Sequence, residues 1–222
     1  CDHVLTHDVR RVRTGETIDD VVVATSTRKP DNAIEQFAKE QDVSIYRGSE
    51  TNVQRRMFEA ATAHNADVII RITSDCPLID PDTTDVVVSR VQQGKTEYAT
   101  NINERTFPRG LDVEAFTYDS FERVVAESTT QAEREHVTPY YRENPGEFAV
   151  ENISSTEVFD AKKYIDRTDL RLTLDEAADY RLLKRIYDEV EYTGILPIRE
   201  AIDYVDAKGL DSLNEEIRQK RI

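Results

Sequence analysis

The chain has 222 residues, and 44 Asp and Glu against 29 Lys and Arg give a formal net charge of −15. That balance excludes sequence-independent binding to nucleic acid, whose phosphates would be repelled, and an anionic substrate would need a metal ion or a local arginine cluster. No apolar run approaches the ~20 residues of a membrane span, no signal-peptide pattern opens the chain, and Cys1 and Cys76 are too few and too poorly placed for a disulfide framework, so a reducing cytoplasm is expected.

Residues 3–13, HVLTHDVRRVR, place Val4, Leu5, Val9 and Val12 on one helical face. The described pattern therefore opens inside a helix that leads into a strand. That strand is DDVVVATS, Asp19 to Ser26, a β-branched run of the kind buried on both faces. Pro30 and Asp31 open a helix with Ala33, Ile34, Phe37 and Ala38 on one side. Strands are expected at Val43–Tyr46 and Asp67–Thr73, separated by a helix marked by Val53, Met57, Ala60 and Ala61. A helix follows over Asp82–Gln93, with Val86, Val87 and Val91 inward. Strands and helices alternate, which predicts an α/β domain with a parallel sheet. Beyond Lys95 the pattern loosens: short strands at Tyr98–Thr100, Leu111–Phe116 and Phe148–Ile153, and helices at Ser120–Ser128, Glu133–Asn144, Ala177–Glu189 and Ile198–Lys208, the last capped by Gly209. No repeat, low-complexity tract or Pro/Gly-rich linker interrupts it.

The sequence RITSDCPLIDP (Arg71 to Pro81) ends a strand on Asp75. A carboxylate just past the carboxyl end of a parallel strand lies at the rim where open α/β sheets bind ligands. Magnesium takes one or two carboxylates plus substrate phosphates. The competing reading is a loop Asp that caps the helix near Asp80 or pairs with Arg71. Arg71 points away from Ile70 and Ile72 and needs a partner, a carboxylate or a phosphate. Arg47, Gly48 and Ser49 stand at the end of the second strand, where they read equally well as ligand contacts or as a turn. In RLTLDEAADY (Arg171 to Tyr180), Asp175 is either a second rim carboxylate or the helix N-cap. Arg109, Asp112, Glu114, Glu133, Arg134, Glu135 and His136 gather in TFPRGLDVE and EREHVTPYY, where they suit either a polyhydroxylated substrate or surface ion pairs. No second His or Cys stands at zinc spacing from His136. Cys76 reads as structural, and Tyr140, Tyr141 and Tyr164 as core or interface. The seven glycines lie far apart, so the chain carries no Gly-rich phosphate cradle. Arg outnumbers Lys by 21 to 8. With the acidity, this fits either a halophilic protein soluble in concentrated salt or a merely acidic cytosolic one.

VVVATS, YRGSETNV, RITSDCPLIDP, TFPRGLDVEAF, EREHVTPYYRENP and LRLTLDEAADY, in this order between about Asp19 and Asp188, resemble the cytidylyltransferases of nucleotide-sugar synthesis. The branch they resemble is the spore-coat polysaccharide type, related to acylneuraminate and ketodeoxyoctonate cytidylyltransferases. The resemblance implies a Rossmann-like nucleotidyltransferase fold (glycosyltransferase-A-like): a mixed, mostly parallel sheet flanked by helices, often in a homodimer. It implies transfer of a cytidylyl group from CTP to a sugar with release of pyrophosphate, for surface polysaccharide synthesis and with Mg2+ as cofactor, without nucleic acid or membrane partners. Carried over, Ala24, Thr25, Ser26, Arg47, Gly48, Ser49 and Thr73 would line the nucleotide. Asp75 and Asp175 would be the catalytic metal carboxylates, and Arg109, Asp112, Glu114 and His136 would face the sugar.

The resemblance also implies a first strand and a loop of the type Gly-Ser-x-Arg-Leu-Pro-Gly-Lys before residue 1. On that expectation, residues 1–190 form a nucleotidyltransferase-like domain without its phosphate loop, residues 191–222 form a helical extension, and the activity of the polypeptide is left open. The alternatives are a noncatalytic homologue that binds nucleotide or sugar, and a uridylyl- or guanylyltransferase. Asn52 stands where the family leads one to expect an acidic residue.

Overall fold

The computed structural model describes residues 3–144 and 146–217; Cys1 lies outside them. Helix α1 (Val4–Val12) leads to β1 (Val22–Ser26), followed by α2 (Asn32–Glu40), β2 (Ser44–Gly48), α3 (Val53–Ala63), β3 (Val68–Arg71) and α4 (Pro81–Gln92). Then come β4 (Tyr98–Thr100), β5 (Glu114–Thr117), α5 (Tyr118–Glu127), α6 (Gln131–His136), α7 (Pro139–Glu143), β6 (Val150–Asn152), α8 (Ala177–Glu189) and α9 (Ile198–Lys208). Among the described residues the strands form two groups. β1 and β2 pair in parallel, Val22 opposite Ser44 and Ser26 opposite Gly48. The other group has the order β3-β5-β4-β6, with β5 antiparallel to β3 and β4, and β4 parallel to β6. The sheet is thus mixed, because β5 returns against the direction that strand–helix alternation imposes elsewhere.

The helices form where the sequence carries their signals. Asn52 caps α3 by accepting the Arg55 N–H (2.8 Å), and Asp80 caps α4 by accepting the Thr83 N–H (3.0 Å), with Pro81 as first helical residue. Gly209 ends α9 with φ of 60°, the left-handed closing residue its position predicted. The single helix expected over Glu133–Asn144 is instead α6 and α7. Pro139 disfavours helical backbone at Thr138, and Val137 turns the chain with φ of 74°.

Ala177–Glu189 and Ile198–Lys208 form as read. Ile198, Ala201, Ile202 and Val205 of α9 pack with Leu78, Phe107, Leu172 and Leu182 in the largest apolar cluster, so α9 rests on the body of the domain. A second cluster joins Tyr98, Phe116, Phe121 and Tyr141 between the sheet and α5–α7. A third lies between α4 and the inner face of β4 and β5, through Val87, Val88, Ala99 and Ala115. Tyr141 and Tyr164 are core residues, and Cys76 is buried as a free thiol that burial pushes well above its ordinary pKa. Among the described residues no helix is long and apolar enough to cross a membrane.

Candidate active site

β1 ends on Thr25 and Ser26, both buried, and the chain then turns sharply around Asp31. The Thr25 and Ser26 hydroxyls donate to Asp31 Oδ2 at 3.1 and 2.5 Å, and the Ser26 N–H donates to the same oxygen at 3.2 Å. The Ser26 hydroxyl, against the opposing effect of burial, holds the Asp31 carboxyl below its usual range. Arg47, opposite Thr25 in the parallel ladder, is bound to four acceptors: Ser26 O (2.9 Å), Arg28 O (2.8 Å), Asn32 Oδ1 (2.8 Å) and Glu35 Oε2 (2.6 Å). Its guanidinium therefore braces the β1 turn, the structural reading, with its fork occupied by protein oxygens.

At Gly48 a Cβ would stand 3.0 Å from Arg56 Cγ, so the close approach there is to α3. The Ser49 hydroxyl accepts the Asn52 N–H (3.0 Å), and the Ser49 carbonyl accepts Arg56 Nη1 (2.8 Å). Arg56 is a residue that the motif reading missed. It lines the same cavity as Ala24, Thr25, Arg71, Thr73 and Ser74. Its Nε is buried without a hydrogen-bond partner, and burial lowers its pKa. A desolvated guanidinium with an unused donor at a sheet rim suits a phosphate better than the saturated Arg47 does. The available signal was its place one helical turn after the Asn52 cap, on the face of α3 turned to Gly48.

Beyond β3, Thr73 Oγ1 lies 3.3 Å from Cys76 Sγ, and the Asp75 carboxylate accepts only the weak S–H of Cys76 (3.4 Å) among the described residues. The Asp75 carbonyl accepts the Leu174 N–H (2.8 Å) and the Thr173 hydroxyl (3.1 Å). These bonds staple the Asp75 loop to the segment that carries Asp175. Asp175 accepts Arg171 Nη2 at 2.5 Å and keeps 47% of its side chain exposed. Glu176, not Asp175, is the N-cap of α8, in a capping box with Asp179. Asp179 is fully buried on Arg171 Nε (2.9 Å) and Asn214 Nδ2 (2.8 Å). No group of three or more His, Cys, Asp or Glu that could hold a metal ion occurs among the described residues. Magnesium asks for fewer protein ligands, and a carboxylate as little engaged as that of Asp75 fits one of them.

The expected sugar residues part company. Glu114 is 1% exposed and is enclosed by Tyr98 Oη (2.7 Å), Thr138 Oγ1 (2.5 Å) and an ion pair with Arg71. Arg71 has thus taken the carboxylate partner, and Glu114 is an internal anchor rather than a ligand contact. Asp112 is held by both Nη atoms of Arg105 (2.6 and 2.8 Å). Arg109 pairs through its backbone with Leu170 and Leu172 (3.1 and 2.7 Å), beside the Arg171–Asp175 segment, and burial lowers its pKa. Gly110 makes that crossing possible: its φ is 97°, and a Cβ would lie 2.5 Å from the Leu172 carbonyl carbon. His136 is half-buried at the end of α6, two residues before Thr138, which reaches Glu114. The structure therefore gathers Arg109 and Asp175 on adjoining segments and leaves Glu114 and Asp112 committed elsewhere.

Strand–helix alternation and a mixed sheet flanked by helices make this a Rossmann-like nucleotidyltransferase fold. The chain belongs to the cytidylyltransferase family, whose pattern matches residues 3–204, a longer span than the quoted motifs cover. It is 32% identical over 213 residues to the uncharacterized protein MJ1063 of Methanocaldococcus jannaschii, covering 96% of this chain and 84% of that one. It is 31% identical over 171 residues to the spore coat polysaccharide biosynthesis protein SpsF of Bacillus subtilis, covering 77% of this chain and 68% of that protein. The solved structure of a cytidylyltransferase from Leptospira borgpetersenii superposes with a TM-score of 0.85 at 30% identity, over 98% of this chain and 88% of its own.

Proposed function

We propose that this protein moves a cytidylyl group from CTP to a sugar hydroxyl, releases pyrophosphate, and serves the synthesis of a surface polysaccharide or glycan. Membership of the cytidylyltransferase family supports CTP, and the likeness to SpsF supports the polysaccharide setting. The observation that carries the chemical reading is the staple between Asp75 O and Leu174 N–H, which holds two carboxylate-bearing loops side by side at the rim.

In this reading the hydroxyl-lined end of β1 and Thr73 receive the nucleotide. Arg56, rather than Arg47, meets its phosphates, and Arg109 faces the acceptor. Asp75 and the free oxygen of Asp175 would hold a magnesium ion, which when bound supplies charge neutralisation at the α-phosphate and eases loss of the acceptor's proton. The chain's own contribution is to bring the acceptor oxygen in line with the departing pyrophosphate and to exclude competing water.

The test is pyrophosphate release from CTP and magnesium with a mixture of acidic sugars. Turnover is expected, and Asp75→Asn should reduce it by roughly a hundredfold or more, the scale of losing one transition-state charge contact. No release with any sugar would point to a noncatalytic homologue. Tighter calorimetric binding of UTP or GTP than of CTP would move the base assignment.

A further inference from the structure

Asp175 is the exposed end of a buried network. Arg171, 9% exposed, donates from Nη2 to Asp175 Oδ2 (2.5 Å). The same guanidinium donates from Nε to Asp179 Oδ1 (2.9 Å) and from Nη2 to Asp179 Oδ2 (3.1 Å). Asp179 Oδ2 also accepts the Asp175 and Glu176 N–H groups (3.0 and 2.9 Å). Asp179 thus fixes the backbone of Asp175 directly and its carboxylate through Arg171.

One residue from a distant part of the chain completes the network. After α9 a short 3-10 turn at Asp211–Leu213 brings Asn214, 3% exposed, to the start of α8. Its amide nitrogen carries two hydrogens, and Nδ2 donates to Asp179 Oδ1 (2.8 Å) and to the Arg171 carbonyl (2.9 Å). Asn214 therefore ties the side chain of Asp179 to the backbone of Arg171, the two points from which Asp175 is held. Leu210, buried in the α9 cluster, anchors the segment itself. The family pattern ends at residue 204, so this contact comes from beyond the matched part of the chain.

The arrangement divides the Arg171 charge between two carboxylates. Asp179 takes Nε and a share of Nη2, and Asp175 takes Nη2 through one oxygen. Asp175 Oδ1 accepts no hydrogen bond among the described residues, and nearly half of the side chain is exposed. An arginine that turned its whole fork on Asp175 would form the bidentate pair such groups favour, and would occupy the oxygen that a cation needs. Asp179 prevents this while its Oδ1 stays on Nε, and Asn214 holds Oδ1 there. Outer partners of this kind orient metal-binding carboxylates, and their loss costs about 10–100-fold in metal affinity.

We propose that Asn214 is a positioning residue for Asp175. By holding Asp179 on Arg171 it keeps one oxygen of Asp175 open to a divalent cation, so the segment after α9 sets the cation affinity of the rim. The cation belongs to the cytidylyl-transfer reading on which this rests, whereas the placement of Asp175 is a property of the folded chain alone.

The test follows Mn2+ binding to the full chain by the electron paramagnetic resonance signal of the free ion, together with hydrogen exchange at the Asp175 and Glu176 amides without metal. Asn214→Ala should weaken Mn2+ binding about tenfold and speed exchange at those two amides about tenfold, with Leu183 and Ile186 of α8 unchanged. Asn214→Leu, which fills the space without a donor, should do the same, and it carries the test if the alanine variant does not fold. Val205→Ala thins the α9 cluster and touches none of these hydrogen bonds. It should lower the urea midpoint and leave Mn2+ affinity and both amides as in the parent. Parent-like Mn2+ affinity and exchange in the Asn214 variants would overturn the proposal, as would equal weakening by Val205→Ala. Asp175→Asn separates the two readings. If it abolishes Mn2+ binding while the Asn214 variants bind like the parent, the role of Asn214 alone fails. If it leaves binding intact, the metal reading of Asp175 fails and takes the control of cation affinity with it.

Discussion

β1 and β4 both carry short, apolar-rich strand sequences, VVATS and YAT, yet they live differently. β4 is fully buried at every residue, with β5 on one edge, β6 on the other and α4 against its face. Among the described residues β1 has one neighbouring strand, and Val22–Ala24 are only half-buried. Its partner β2 has no buried residue. Burial of a strand is therefore decided by what stands on both of its edges. The β4–β5 half has a closed core, and the β1–β2 half rests on a small one made of Val9, Phe37, Ala38 and Val43.

The largest effect that separates the halves is expected at Glu114, the anchor of the closed half. Its removal strips Tyr98 and Thr138 of their acceptor and leaves Arg71 without its partner in a half-buried site. Glu114→Ala should cost about 3–5 kcal/mol in urea unfolding, the scale of breaking one side of a buried pair. Glu114→Gln keeps the acceptor oxygen and should lose less. Phe121→Ala in the same half, at 0% exposure, should cost about 3–5 kcal/mol. Phe37→Ala, at 9% exposure in the smaller cluster, should cost less because its surroundings are already open. Equal losses for the two phenylalanines would break the comparison.

The same contrast explains which parts of the fold were legible in the sequence. Gly209, Pro81 and the apolar spacing of Ala177–Glu189 are local signals, and they gave α9, α4 and α8 nearly to the residue. Thr138–Pro139 is also a local signal, and it outweighed the apolar spacing that suggested one long helix. The run VVVATS predicts burial on both faces, and the structure gives it only part of that, because strand edges are a matter of tertiary neighbours. In the site, Asp75 was readable as a carboxylate shortly after a strand, and it lies in the loop between β3 and α4, whereas Asp175 follows only a single bridge at Arg171 and leaves the N-cap of α8 to Glu176. The occupied state of Arg47 and the enclosure of Glu114 were not, since their partners come from 12 to 43 residues away. Asp8 and Arg56 escaped notice for a related reason. Helical periodicity marks apolar faces, and it carries no sign of a charged residue turned inward among them.

Asp8 gives the open half a pH dependence of its own; in the closed half burial pushes Asp80 up as well, against the Thr83 hydroxyl and N–H that it accepts. Burial first, and then the negative charge of Asp75, push its carboxyl up from 3.8 to about 8, with Arg11 opposing. Below 3.8 the folded and unfolded chains both hold the proton. Between 3.8 and about 8 the unfolded chain releases it while the folded chain retains it, so this group's contribution to stability falls as pH rises through that window and is level above it. Asp8→Asn removes the titration. Thermal unfolding of parent and variant should show the variant gaining on the parent between about pH 5 and about pH 8. A constant difference would mean that Asp8 is charged in the folded protein and solvated through the cavity it lines with Thr25, Arg56 and Arg71.

The smallest expected effect tests whether the open half is held by local bonds where packing is thin. Asn52 caps α3 through Oδ1 to the Arg55 N–H, while its own N–H donates to Ser49 Oγ (2.8 and 3.0 Å). Asn52→Ala deletes the cap and should cost about 1 kcal/mol. Asn52→Asp, which places at this position the acid that the resemblance led one to expect, keeps an acceptor for the same N–H and adds a negative charge at the positive end of the helix. It should therefore equal or exceed the parent in a urea midpoint at neutral pH and lose that margin when the carboxylate is protonated. If alanine matches asparagine, α3 is fixed without its cap by the packing of Ala60 and Ala61 and by Gln54, which donates to the Ser128 hydroxyl and the Val137 carbonyl, and the distinction between a locally held and a core-held half fails at its first helix turn.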